Sequence, residues 1–378
     1  MSRFDALIDR RGTGSNKWSR YAPDVLPLWV ADMDFAVPDC VAEAVAARAA
    51  HAVYGYAAPQ ASLRAVIVAD LAARYGWRVA PEEIVILPGV EPGFNMALAA
   101  FLQAGDGVAL HTPAYRPMRR APGFWGLTRH DIPLVEADGR WQADPAQEAA
   151  AIAASRALLL CNPQNPLGKV FTRAELAAMA EAALAAGTLI ISDEIHADLV
   201  YDGRAHVPIA TLSPEVARRT ITLMSPGKTY NISGLKVAFA VVPDAELRAR
   251  FDQHRLGMVD SVNAFGLAAM EAAYAHGGAW RDELVAYLAG NRDVLARAVA
   301  AQLPGVRMAA PEGTFLAWLD CRAAGINGSA QAHFLEHARV ALSAGEEFSD
   351  AGAGFVRLNF GCPRATLVAA IARMAASL

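Results

Sequence analysis

An α/β architecture with a mostly parallel sheet, followed by a smaller α+β unit, is what three features of the chain predict. Short aliphatic runs alternate with amphipathic helical stretches, the pattern changes to long helices after about residue 243, and the opening segment is broken by prolines. Pro23, Pro27 and Pro38 make that opening an extended arm, because proline removes an N–H and restrains the residue before it. The runs at 84–87, 108–110, 157–161, 189–192, 220–224 and 237–242 have the length of strands buried on both faces. Helical patterns at 92–103 and 173–186 lie between them. Long helices follow at 244–256, 265–276 and 280–302, then a strand at 314–319, a helix at 329–341, a strand at 355–360 and a closing helix from Arg364. Sheets of this kind bind ligands beyond the carboxyl ends of their strands.

The 378 residues are 54% hydrophobic and 19% charged, which excludes disordered, collagen-like and coiled-coil classes. A net charge of −4 gives no field to draw nucleic acid or an anionic membrane surface, so a small molecule is the expected partner. Cys40, Cys161, Cys321 and Cys362 are scattered, with no C-x-x-C pair and no histidine at metal-site spacing. No metal is expected, and the thiols read as structural. The stretch MSRFDALIDRRGTG is charged and lacks the apolar core of a secretory signal, and no run reaches 18 uninterrupted apolar residues. The expected location is the cytoplasm.

Nucleotide motifs are the first thing such a sheet invites, and they fail. There is no G-x-G-x-x-G, and Gly227-Lys228-Thr229 has Thr222 where a P-loop needs its first glycine. What remains is a lysine in SPGKTYNISGL, residues 225–235, directly after the strand TITLM. An amine at the mouth of a parallel sheet can form a Schiff base once unprotonated. Upstream, one strand ends in SDEIH and delivers Asp193, and the strand before it ends in NPQNPLG and delivers Asn165. Three strands therefore bring an amide, a carboxylate and an amine to one rim.

The motifs DRRGTGSNKW (9–18), WVADMDF (29–35), VYGY (53–56), SDEIH (192–196), KTYNISGL (228–235) and FVRLNFGCPR (355–364) span almost the whole chain. Together they resemble the pyridoxal-phosphate enzymes of fold type I, the aspartate aminotransferase superfamily. The resemblance narrows to the cystathionine β-lyase-like C–S lyases related to MalY and PatB. It implies a large cofactor domain with a mostly parallel seven-stranded sheet at 39–275, a small α+β domain at 276–378, and an arm at 1–38 shared with the small domain. It also implies a homodimer with a shared active site.

Residue by residue, Lys228 resembles the Schiff-base lysine that later shuttles a proton, and Asp193 the carboxylate facing the pyridine nitrogen. An opposite charge about 4 Å away is worth about 4 kcal/mol at an effective dielectric of about 20, enough to keep that nitrogen protonated. Asn165 resembles the amide bound to the cofactor's phenolic oxygen, with His196 near it, and Tyr115 the aromatic stacked on the ring. Gly89 and Val90 resemble the loop opening a phosphate-binding helix, and Ser225 the phosphate-binding serine. Tyr56 would act across the dimer, completing the neighbour's phosphate cup. Two departures stand out: Gly227 replaces a frequent serine, and Lys236 stands where many aminotransferases have a phosphate-binding arginine. Arg357 resembles the arginine that grips the substrate α-carboxylate. Val30 and Ala31 would lie over the substrate by their backbone with Asp32 near, although Asp32 serves equally well as an acid fixing the arm.

The resemblance implies a carbon–sulfur β-lyase cleaving L-cystathionine or a related cysteine conjugate to thiol, pyruvate and ammonia, and family likeness alone separates that reaction from transamination. An aminotransferase uses the same residues and differs in where the proton returns. A non-catalytic regulator on the same fold is the alternative from another class, and the joint presence of Lys228, Asp193 and Arg357 speaks against it.

Overall fold

Continuous apolar runs with no polar face become the central strands because only burial on both sides satisfies them. A computed structural model describes residues 2–259 and 261–378. In chain order it contains α1 (Asn16–Ser19), β1 (Leu26–Pro27), α2 (Asp39–Ala50), α3 (Ala61–Tyr75), β2 (Ile84–Leu87), α4 (Val90–Phe101), β3 (Gly107–Thr112), α5 (Arg116–Phe124), β4 (Thr128–Ala137), β5 (Arg140–Ala143), α6 (Pro145–Ala153), β6 (Ala157–Cys161), α7 (Arg173–Ala186) and β7 (Leu189–Asp193). Then come α8 (Pro214–Ala217), β8 (Thr220–Met224), α9 (Pro226–Thr229), β9 (Ala238–Val241), α10 (Ala245–Met258), α11 (Ala264–His276), α12 (Gly278–Gln302), β10 (Leu316–Asp320), α13 (Ala330–Glu336), β11 (Val340–Ala341), β12 (Ser343–Ala344), β13 (Phe355–Asn359) and α14 (Arg364–Ser377).

The main sheet has the order β2-β9-β8-β7-β6-β3-β4-β5, parallel from β8 to β4, with β9 antiparallel to both its neighbours. The expected seven strands are joined by an eighth, because β4 turns back at its end and pairs antiparallel with the short β5. Alternate residues feed opposite layers: Leu159, Ile191 and Leu223 pack with Phe94 and Phe251 on one face, while Leu158, Leu160 and Ile190 pack with Leu176 and Met179 of α7 on the other.

The small unit is a three-stranded antiparallel sheet, β10-β13-β12, against α12 and α14. The helix expected at 329–341 stops at Glu336. Arg339 takes a left-handed conformation (φ 56°), and Val340–Ala341 becomes β11, pairing in parallel with Leu26–Pro27 of the arm. The arm is thus built into the small unit: Phe4 sits among Phe35, Trp280 and Tyr287. Among the described residues no helix is long and apolar enough to cross a membrane, and the four cysteines are unpaired.

Candidate active site

The parallel register of β6, β7 and β8 sets Cys161 beside Asp193 and Asp193 beside Leu223, so their carboxyl ends finish at one level. Asn165 follows β6 in a loop tied down by Gly168 (φ +67°), whose carbonyl accepts the N–H groups of Glu312 and Gly313 at 2.9 Å each. A Cβ there would come within 2.4 Å of Pro311, so only glycine lets the two segments approach. After β8, Ser225 caps the single turn α9 that lifts Lys228 over the rim. A cleft of about 470 Å³ results, whose lining includes Asn165, Asp193, His196, Ser225, Lys228 and Lys236 together with Gly89, Val90, Glu91 and Tyr115.

The charges in this cleft are poorly paired. Asp193 is 5% exposed and accepts one hydrogen bond among the described residues, from the Ile195 N–H at 3.1 Å. Burial therefore pushes its pKa up to about 7, against the opposing pull of Lys228. Lys228 is pushed down to about 8, first by burial and then by the Arg357 charge, while Asp32 and Asp193 oppose the shift. Its Nζ donates to the Ala31 carbonyl at 2.6 Å. His196 is buried and held neutral, its pKa driven well below the ordinary value by burial and then by the Lys228 and Arg357 charges. Its Nδ1 has no partner among the described residues, and its ring meets Phe315 edge-on at 5.6 Å.

Arg357 arrives from β13 and is 5% exposed. It donates to Asn165 Oδ1 at 3.0 Å, to the Trp29 carbonyl at 2.8 Å and to Ser343 Oγ at 3.3 Å. No carboxylate pairs with it among the described residues, its Nε is buried without a partner, and burial lowers its pKa to about 10. A buried guanidinium without a counter-ion is costly unless a ligand supplies the anion.

The segment WVAD crosses above these groups. Asp32 is held by Arg10 at 2.8 Å, and Asp34 by Arg10 and by the fully buried Lys17, both at 2.7 Å. The Arg10 pair ties Asp32 to the arm, while its charge also faces Lys228. Val30 and Ala31 present their carbonyls inward, to Asn359 Nδ2 at 2.6 Å and to Lys228.

Among the described residues no side chain caps the N-terminus of α4, so its first-turn N–H groups are left for the cleft beside Gly89 and Val90. Ser225 donates its hydroxyl to the Val237 carbonyl at 2.7 Å and accepts from the Gly227 N–H at 3.0 Å. An added Cβ at Gly227 would stand 3.0 Å from that Ser225 oxygen. Lys236 (φ 52°) is exposed and makes no ion pair among the described residues. Tyr56 is not brought to this cleft within one chain: it is 94% exposed.

Sequence patterning does not single out Glu91 or Asn359. Glu91 accepts the Tyr115 hydroxyl at 3.3 Å in the first turn of α4. The signal for Asn359 was its place in FVRLNF, two residues after Arg357 on the same strand face.

A family model described as aminotransferase class I and II matches residues 23–374. The chain belongs to the aminotransferase class I and II family. Within this family it is 37% identical to the cystathionine β-lyase PatB of Bacillus subtilis (strain 168), over 99% of either chain. The crystal structure of OvoB superposes with a TM-score of 0.95 at 42% identity, covering 99% of this chain and 98% of that one. Cystalysin from Treponema denticola, whose structure contains pyridoxal 5'-phosphate, gives 0.95 at 27% identity over 100% and 98%.

Proposed function

We propose that the chain is a pyridoxal-phosphate-dependent carbon–sulfur β-lyase that splits L-cystathionine or a related cysteine S-conjugate, with uptake of one water, into thiol, pyruvate and ammonia. The observation that carries this reading is a trio of underpaired charges facing one another: the buried Asp193 and Arg357 and the part-buried Lys228. Similarity to PatB over the full chain supports the lyase reaction.

The residues present fit the cofactor. Asp193 offers a buried carboxyl with one hydrogen bond made, suited to a cationic ring nitrogen, and the uncapped start of α4 at Gly89 and Val90 offers N–H groups to a phosphate. Lys236 adds a positive charge there, and Ser225 orders the turn between them. Tyr115 covers one side of the cleft, and Asn165 and His196 lie beside Asp193. Bound there, the cofactor supplies an electron sink that makes the substrate Cα–H acidic.

Arg357 binds the substrate α-carboxylate and so aims Cα at Lys228. Lys228 Nζ takes the Cα proton, and its lowered pKa leaves a useful neutral fraction near neutral pH. While Lys228 holds that proton, a thiolate at Cβ departs before it can be returned. The enzyme works as a cytoplasmic homodimer in which Tyr56 completes the neighbouring subunit's phosphate cup. This is supported by the exposure of Val53, Tyr54 and Tyr56 on one short segment.

The family model itself favours a second reading, an aminotransferase. A product assay on cystathionine and an S-alkyl-cysteine separates the two. Pyruvate and free thiol without any keto acid, with sustained turnover, is the expected result; strict dependence on a keto acid would establish the aminotransferase.

A further inference from the structure

Four consecutive carbonyls of the arm, from Trp29 to Asp32, are each taken by a side chain of the site: Arg357 holds the first, Asn359 the second and fourth, and Lys228 the third. The Asp32 N–H also bonds the Val30 carbonyl at 3.0 Å, so the segment makes a tight turn with Ala31 at its apex. Lys228 is the one donor to the Ala31 carbonyl among the described residues, and nothing on that atom itself fixes where it points. What fixes it lies on either side, where Lys17 Nζ also reaches the Asp32 carbonyl, at 3.1 Å and so more loosely than Asn359. Asn359 is fully buried, and both N–H bonds of its amide are spent, one on Val30 and one on Asp32, each at 2.6 Å. Its Oδ1 accepts the Gly361 N–H at 2.7 Å, which sets the orientation of the amide, since the flipped form would face two carbonyls with a third oxygen.

We infer that Asn359 is a positioning residue for Lys228: by clipping the carbonyls of Val30 and Asp32 it holds the Ala31 carbonyl as the acceptor for the Lys228 amine whenever that amine is free of cofactor. The inference rests on the reading of Lys228 as the proton-transferring amine. A fixed acceptor directs one N–H and therefore the lone pair, and it favours the protonated amine. The other groups facing Lys228 are Arg357 from β13 and Lys236 after α9, which disfavour its charge, and Asp32 from the arm and Asp193 from β7, which favour it. His196 beside them is neutral. β13 thus carries, two residues apart on one face, the guanidinium for the substrate carboxylate and the clip for the base.

The test uses the full chain freed of cofactor, labelled with limiting amine reagent across neutral to alkaline pH, with peptide mapping to Lys228. Asn359→Ala is expected to lower the apparent Lys228 pKa by about one unit, seen near neutral pH as roughly fivefold faster labelling. Ala31→Gly, which loosens the apex alone, is expected to shift it the same way by less. Asn231→Ala removes bonds to Met33 and Phe35 but leaves both Asn359 bonds in place, and it is expected to shift the titration by clearly less than Asn359→Ala. An unshifted Lys228 in Asn359→Ala and Ala31→Gly, or an equal shift in Asn231→Ala, overturns the inference. Should Asn359→Ala not fold, Ala31→Gly decides alone. Reloading the wild-type chain with pyridoxal phosphate is expected to shield Lys228 from label. Failure of that shielding would count against the reading of the site and leave the clip standing.

Discussion

Asp193 shows how a side chain can weaken the empty fold in order to serve it when loaded. In the unfolded chain its carboxyl ionises near the ordinary value of 3.8, whereas in the native chain it holds its proton to about 7. The unfolded state therefore sheds that proton first, and the native cofactor-free chain loses stability as pH rises between those values. Asp193→Asn keeps an acceptor for the Ile195 N–H and removes the buried charge. It is expected to raise the Tm of the cofactor-free chain at neutral pH by about 2 °C or more, with the gain fading below pH of about 4, while lyase activity falls by orders of magnitude. Thermal melts of both forms across pH check this; a destabilised Asp193→Asn would mean that the carboxylate is paid for by contacts not identified. The residues legible in the sequence were those at strand ends, Asn165, Asp193 and Lys228, because a parallel sheet must align its carboxyl ends. Glu91 and Asn359 were hidden because their importance comes from a partner distant in the chain or from a turn whose geometry no local pattern encodes.

Among the elements, strands such as 84–87, 157–161 and 220–224 were found residue for residue, since an apolar run bounded by polar residues has one way to be buried. β4 escaped notice: TRHDIPLVEA has only Ile132 and Leu134 buried, as expected of a strand near the sheet edge with one face wet. β11 was read as the end of a helix because its partner, Leu26–Pro27, lies far away in the chain. The motif DRRGTGSNKW, conspicuous in the sequence, turns out to serve the arm: Arg10, Lys17 and Trp18 converge on Asp34. Lys17→Met removes one partner of a buried pair and is expected to cost about 3 kcal/mol, because Asp34 keeps only part of its compensation. Joint replacement, Lys17→Met with Asp34→Leu, is expected to recover part of that loss. Denaturant unfolding with limited proteolysis within 1–38 gives the measurement, and a Lys17→Met chain as stable and as protease-resistant as the wild type would remove the network from the account.

For the whole molecule, the exposed Tyr56 matters most. A shared site predicts that Tyr56→Ala and Lys228→Ala chains, each inactive, complement one another after subunit exchange. Half of a random mixture is mixed dimer and each mixed dimer has one intact site, so activity should recover to about a quarter of wild type. No recovery after mass spectrometry demonstrates exchange would place Tyr56 outside the site. The arm carries another consequence. Asp34 bonds its N–H to the Gly361 carbonyl, and Leu28 accepts from the Asn359 N–H, so the arm is completed by residues made much later. At about 5–20 residues per second, roughly 15–65 s of synthesis separate the two. Through that interval the nascent arm, with Phe4 and Phe35 uncovered, waits beside strands of the main sheet that are already emerging, and the catalytic rim gains its roof only once β13 has been made.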